Sequence, residues 1–421
     1  MNKTNLPAQE KGLPTKRKEK NPESLTAIQS KRGLIEEYIS FHFQFRYNVL
    51  NGRIEYCEKA KDDFKALEDY SLNSIVRQID YKTGISTSPE KLKVILKSDF
   101  TPRYNPIQSY FQSLPIPCSS DTPTIKALAQ TVQTEDSNLF CLSLTKWLVA
   151  SIANAFQADG CQNQTCLVLT GSQGAFKTTW LNLLCPPALI SYLFCGKINL
   201  ESKDTLILLG EKFIVNLDDQ LHSLNKRDGD TVKTFITQGK ITIRRPYDAL
   251  SSELPRIASF LGSVNGNNFL TDPTGSRRFL PFEAYSIDIN TAKELNINQA
   301  WAEAYQLFRQ GYRYWFTMEE TAEMFANNER FQDITPEYEL LLEHYEPVDD
   351  QVTNALYLTT TAIKTYLNSF TRQEIRSKQL GEALTKLKFS RKSKRINGNS
   401  LYVWVVRERL VTEINEHTKR L

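Results

Sequence analysis

The chain of 421 residues is 40% hydrophobic and 24% charged, with 22 Phe and 18 Tyr, which excludes an intrinsically disordered protein; at roughly 150 residues per domain the length suggests two to four domains. Its 52 basic and 48 acidic residues leave a formal charge of +4, too small a sum to identify an anionic partner by itself. Seven cysteines, of which only Cys161 and Cys166 lie close together, and four scattered histidines (His42, His222, His344 and His417) argue against a metal cluster and against a nucleophile-and-base triad.

Apolar runs such as Leu206 to Leu209 are far shorter than a membrane span, and no charged-then-apolar leader opens the chain. A cytoplasmic protein with reduced thiols and no membrane partner is expected. Residues 1–32 carry Lys16, Arg17, Lys18, Lys20, Lys31 and Arg32 among Pro, Asn and Ser, and predict a disordered tail. That tail is either a basic arm for phosphates or simply solvated. Residues 33–135 read as a mixed α/β region with a strand-like stretch from Ile39 to Tyr47, punctuated at its end by Pro102, Pro106, Pro115 and Pro117. No catalytic constellation stands out in it.

Residues 136–345 read as an α/β domain. Ser143 to Phe156 carries apolar residues at helical spacing and is expected to pack against the strands and helix C-terminal to it. Cys166 to Thr170, Lys212 to Leu217 and Ile257 to Val264 are short apolar runs that predict buried strands, and Thr178 to Leu184 predicts a helix, a succession that implies a parallel sheet. Between the first strand and the helix lies Gly171-Ser172-Gln173-Gly174-Ala175-Phe176-Lys177-Thr178-Thr179. A loop of this kind turns backbone N–H groups toward phosphate oxygens, its lysine reaches the β and γ phosphates, and its hydroxyl, here Thr178, holds Mg²⁺. The spacing matches G-x-x-x-x-G-K-[ST] except that Phe176 stands at the second glycine, where positive φ costs a bulky residue on the order of 1–2 kcal/mol.

A phosphate loop needs an acid on a neighbouring strand and a group that senses the terminal phosphate. Asp218 and Asp219 end an apolar strand, and the expectation is metal at Asp218 and the attacking water at Asp219; a solvated acidic strand end is the alternative. Asn265 ends the next strand as a candidate phosphate sensor or as a turn residue. Arg277 and Arg278 come next, on a loop that suits an arginine finger acting in a neighbouring subunit, or surface ion pairs. Between these strands Lys226, Arg227, Lys233, Lys240, Arg244, Arg245 and Tyr247 fit either a single-strand DNA grip through phosphates and stacking or a solvated basic face.

After a linker around Pro347, Asp349 and Asp350, residues 351–421 predict helices from Thr359 to Phe370 and from Ser377 to Leu387, each opened by a capping hydroxyl. A hairpin around Asn397-Gly398-Asn399 comes after them, and helices before a basic hairpin suggest a winged helix. Lys386, Arg391, Lys392, Lys394 and Arg395 are its candidate DNA contacts, with an ordinary interaction domain as the alternative.

The ordered blocks GSQGAFKTT, NLDDQ, DTVKTFITQGKITIRRPY, LGSVN, FLTDPTGSRRF and WAEAYQLFRQGYRYW, preceded by YNPIQSYFQSL, resemble the virulence-associated E family from about Pro106 to about Phe331. These are superfamily 3-like AAA+ proteins of prophages and other mobile elements. The resemblance implies a P-loop AAA+ core with ATP and Mg²⁺ as cofactors, hexameric assembly and ATP-driven movement on single-stranded or forked DNA. It places Lys177 and Thr178 in Walker A, Asp218 and Asp219 in Walker B, Asn265 at sensor 1 and Arg277 or Arg278 as the finger. Some relatives carry a primase domain; no paired-acid primase site is evident here, so priming would need a separate primase. The expected function is an ATP-dependent DNA helicase or replication-initiator motor, with two alternatives: a nucleotide-gated DNA loader that does not unwind, and a structural adaptor with a vestigial loop.

Overall fold

The computed structural model describes residues 30–61, 63–117, 123–157, 162–200, 202–218, 220–221, 231–243, 251–270, 276–333, 335–349, 352–396 and 399–409. The chain divides into two compact units, residues 1–106 and 107–421.

In the first unit, the helix Lys31–His42 is capped by Ser30, whose side chain accepts from the N–H of Gly33. Lys31 and Arg32 therefore open a helix instead of closing a tail. Residues 39–42, expected in a strand, complete that helix, because Ile35 and Ile39 sit one turn apart on its buried face. The strands β1 (Phe43–Asn48), β2 (Arg53–Glu58), β3 (Lys65–Ala66) and β4 (Arg103–Tyr104) form a sheet in the order β3-β2-β1-β4. Phe43, Phe45, Ile54 and Tyr56 alternate onto one face and meet Leu72, Ile75 and Ile79 of the helix Asp69–Thr83.

The second unit is built on a parallel sheet. After β5 (Val132–Gln133) come β6 (Cys166–Thr170), β7 (Leu193–Cys195), β8 (Ile214–Asp218), β9 (Lys240–Ile243), β10 (Ser252–Pro255), β11 (Ser259–Ser263), β12 (Phe279–Glu283) and β13 (Ser286–Ile287). Five of them pair in the order β12-β6-β11-β8-β7, every pairing parallel. β6 and β11 are buried along their whole length, which is why β6 reads as an apolar run and β11 carries only apolar or small residues. β9 and β10 form a separate antiparallel ribbon, and β13 pairs with β5.

The helix Ser137–Phe156 is the one described helix long and apolar enough to cross a membrane, and 78% of its most apolar window is buried inside the fold. Trp147 on it donates its indole N–H to the Phe260 carbonyl of β11 at 3.0 Å, and Asn154 donates to the Ala258 carbonyl at 3.2 Å. Phe111, Phe213 and Trp301 pack together nearby. A second cluster gathers Val168, Val215, Leu217, Leu221, Phe235, Ile236, Phe260 and Phe279. Lys146 is buried, donates to the carbonyls of Arg313 and Trp315, and pairs with Glu320 at 3.2 Å; burial lowers its pKa, and the contact holds residues 313–315 against the long helix.

At the C-terminal end, β14 (Tyr345–Pro347), β15 (Leu356–Leu358), β16 (Ser390–Ile396) and β17 (Asn399–Glu408) form an antiparallel sheet with β17 pairing to each of the others. Pro347, expected in a linker, therefore lies in a strand. The helix Thr360–Leu367 is capped by the Thr359 hydroxyl as expected, whereas Ser377–Lys386 has Arg376 at its cap position and no side-chain cap, since Ser377 already lies inside the first turn. Ile363, Leu367, Leu380 and Leu384 pack with Trp404 and Val406 of β17.

Candidate functional site

Because β6, β8 and β11 run parallel, the residues at or just beyond their C-terminal ends collect at one edge of the sheet. The register aligns Ser263 of β11 with both Leu169 of β6 and Asp218 of β8. The acid-bearing strand is thus next but one to the loop-bearing strand, with β11 between them, whereas the sequence pattern suggests adjacent strand tips. The gap is closed by hydroxyls. Thr178 Oγ1 donates to Asp218 Oδ1 at 2.6 Å and lies 3.2 Å from Ser263 Oγ, and the Ser263 hydroxyl also donates to Asp218. Asp218 is half-buried at this edge.

The loop between β6 and the helix Lys177–Leu183 is shaped by three residues at positive φ: Gly171 at 127°, Gly174 at 84° and Phe176 at 58°. At Gly171 a Cβ would stand 2.8 Å from the Ala284 carbonyl oxygen, so only glycine fits. Phe176 adopts the left-handed conformation that its position demands and is 54% exposed. Ser172 and Gln173 are exposed and Ala175 is half-buried. Lys177 folds back under the loop, only 6% exposed, and donates to the carbonyls of Gly171 (3.0 Å) and Ser172 (2.7 Å) and to Asn265 Oδ1 (3.2 Å). Lys177, Thr178, Asp218 and Asn265, spread over 89 positions, therefore share one edge.

Two members of this edge were missed by sequence reasoning. Ser263 sits between Thr178 and Asp218, and Asn267 Oδ1 accepts from Thr170 Oγ1 at 2.8 Å. In sequence Ser263 reads as interior strand; only the knowledge that β11 lies between β6 and β8 gives its hydroxyl a role. Asn267 belongs to an Asn-rich segment that reads as turn.

The remaining candidates divide. Asp219, Arg244, Arg245 and Tyr247 lie outside the described residues. Lys233 is half-buried on a helix over 231–237, and Lys240 on β9 is 3.6 Å from Glu253 of β10. Arg277 and Arg278 end a short turn just before β12, whose first residue Phe279 is level with Cys166, the first of β6. They stand at the opposite edge of the sheet from the loop, a strand of five residues or about 17 Å away, beside Gln164 and Thr165. Neither forms an ion pair with a described residue. Arg391, Lys392, Lys394 and Arg395 are exposed along β16, with the Arg391 guanidinium 4.7 Å from the Tyr402 ring centre and the Lys394 ammonium 3.3 Å from that of Tyr357. Lys386 differs from them: it lies 4.9 Å from the Tyr338 ring centre, where burial lowers its pKa against the pull of Glu329 and Asp333. Those carboxylates belong to the same unit, so Lys386 is engaged within the chain.

Among the described residues no group of three or more His, Cys, Asp or Glu side chains could by itself hold a metal. One hydroxyl and one carboxylate do fit Mg²⁺, which keeps water and phosphate oxygens as its other ligands. A cavity of about 700 Å³ opens beside the loop helix, lined among others by Leu128, Thr178, Thr179, Asn182, Ile190 and Asn298. Cys185 also lines it, with its thiol pushed up to about 12 by burial, which keeps it neutral and unreactive.

Comparison with known proteins gives three results. No curated protein matches the chain. Among solved structures, the apo structure of the NrS-1 C-terminal region (305–718) matches at TM-score 0.49 and 14% identity, covering 89% of this chain and 99% of that one; two A-form apo structures of the same region match at 0.48 and 0.47, each at 13% identity. The family model of the virulence-associated protein E-like domain matches residues 118–333, just over half of the chain, and spans the loop, the acid strand, Asn265 and the arginine pair. The chain belongs to the virulence-associated protein E-like domain family.

Proposed function

We propose that the chain is an ATP-hydrolysing motor that acts on DNA during replication of a mobile element, with a P-loop AAA+ core of the superfamily 3 type. The observation that carries this reading is the 2.6 Å contact between Thr178 and Asp218 beside a lysine held under a loop with three positive-φ residues. Thr178 and Asp218 would hold Mg²⁺, which when bound would offset the charge of the phosphate oxygens. Lys177, now bonded to loop carbonyls and to Asn265, would hold the phosphate oxygens, Asn265 would sense the terminal phosphate, and Asp219 would orient the attacking water. The cavity lined by Leu128, Ile190 and Asn298 has the mixture of apolar wall and polar groups that suits the adenosine.

Arg277 and Arg278 stand too far from the loop to act on their own nucleotide, which supports a ring, a hexamer by family analogy, in which they serve the neighbour. The exposed cations of β16, on a hairpin C-terminal to two helices, support a winged-helix DNA contact; the ribbon β9–β10 supports a second contact, to the single strand. Single-stranded or forked DNA is the substrate, a primase or another replication protein is the expected partner, and the compartment is the cytoplasm. Purified protein is expected to hydrolyse ATP with Mg²⁺, faster with DNA, and Lys177→Ala is expected to stop it. Undiminished hydrolysis in that variant would put the active site elsewhere.

A second reading is a nucleotide-gated loader that assembles on DNA without unwinding it. Phe176, strained within the loop, favours slow turnover. Strand displacement under saturating ATP separates the two: displacement supports the motor, and tight binding without displacement supports the loader.

A further inference from the structure

We propose that the Phe176 ring of one copy seats in the aromatic pocket beside Arg277 and Arg278 of a second copy. The inference rests on the motor reading and names the contact by which its subunits meet.

Among the described residues the Phe176 ring has no aromatic or cation partner. It holds a φ of 58°, a conformation costly for a bulky residue, and exposes 54% of its surface. An exposed phenyl group at a strained position is stabilising only if something covers it. At the far edge of the same sheet lies a cavity of about 490 Å³ lined by Leu280, Tyr314, Trp315, Met324 and Phe325, with Arg277 and Arg278 at its side. Trp315 is 61% and Phe325 37% exposed, so the pocket presents an aromatic wall to solvent opposite a polar one that includes Gln164 and Thr165. Lys146 holds the carbonyl of Trp315 at 2.9 Å, and Thr317 and Glu320 form a capping box on the helix Met318–Glu329.

The charges match as well. The two arginines have no carboxylate partner among the described residues, whereas the loop edge carries Asp218 and would carry the triphosphate. A phenyl anchor flanked by arginine has the composition of an interface hot spot. Because ring and pocket lie at opposite edges of one sheet, each copy offers one to its predecessor and the other to its successor. Such a head-to-tail contact repeats from copy to copy, and it forms a ring where the rotation between copies closes. The departure from glycine in the loop is then a subunit contact, and the strain is offset on assembly.

The test is photo-crosslinking of the full chain carrying p-benzoylphenylalanine at position 176, mixed with unmodified chain of different isotopic mass, in Mg²⁺ and a non-hydrolysable ATP analogue. Crosslinks between chains that map to residues 314–325 are expected. Trp315→Ala in the unmodified partner should remove them and weaken self-association in sedimentation velocity by about tenfold or more. Crosslinks confined to the same chain, or mapping to another surface, would overturn the inference. Binding of a fluorescent ATP analogue to the same sample separates the two levels: nucleotide bound with no such crosslink rejects this contact alone, and no nucleotide bound rejects the motor reading together with it.

Discussion

Thr178 and Asp218, forty residues apart in sequence, are joined by a hydrogen bond of 2.6 Å that crosses the tip of β11. The bond ties the first turn of the loop helix to the end of β8, and Ser263 completes a three-oxygen cluster with them. Thr178→Val and Asp218→Asn are each expected to lower Mg²⁺-dependent phosphate release by about 100-fold or more. Because Ser263 still donates to Asp218, Thr178→Val should change unfolding free energy by only about 1 kcal/mol. A loss of activity matched by global unfolding in urea would point to a purely structural contact.

Gly171 is held at φ 127° with the Ala284 carbonyl against it. Gly171→Ala forces both a backbone strain and a clash with backbone just beyond β12 that cannot withdraw, and about 2–4 kcal/mol of destabilisation is expected. Gly174→Ala meets no neighbour within 4 Å and carries the φ strain alone, so it should cost about 1–2 kcal/mol. Chemical denaturation of the pair checks the order.

Phe176→Gly removes the left-handed strain. An isolated subunit is expected to gain about 1 kcal/mol of stability, offset in part by the greater freedom of glycine in the unfolded chain. Thermal unfolding at low protein concentration measures this; a clear drop in stability would mean that the ring packs within its own chain.

The exposed cations of β16 should act on DNA through phosphates. Replacing Arg391, Lys392, Lys394 and Arg395 together by Ala is expected to weaken duplex binding and to flatten the salt dependence by about 0.9 log units per lost phosphate contact. Lys386→Ala, whose ammonium is held near Glu329 and Asp333, is expected to leave both nearly unchanged. Fluorescence anisotropy at several salt concentrations reads both variants; an unchanged salt slope in the fourfold variant would remove the hairpin from the DNA contact.

Much of this is legible in the sequence because burial leaves a direct record. β6, β8 and β11 are flanked on both sides and therefore read as apolar runs, and the hairpin of β16 and β17 announces itself through Asn-Gly between alternating residues. Strand order leaves no such record. Nothing in the local pattern places β11 between β6 and β8, so Ser263 is passed over and the tips of β6 and β8 read as neighbours. The boundary at Ile39 fails for a related reason: Ile35 and Ile39 carry a helical period that Phe43 and Phe45 continue as a strand period, and the change falls within one apolar stretch. Pro347 misleads because proline at a strand end resembles a linker, and only pairing with Val406 reveals it.

The central claim is that Lys177, Thr178, Asp218 and Asn265 surround one Mg²⁺-bound triphosphate. A structure of the full chain with Mg²⁺ and a non-hydrolysable ATP analogue tests it most directly. Phosphate density between the Lys177 ammonium and the Asp218 carboxylate, with Mg²⁺ against Thr178 Oγ1, is the expected result. Nucleotide bound away from this edge, with the Thr178–Asp218 hydrogen bond intact, would contradict it.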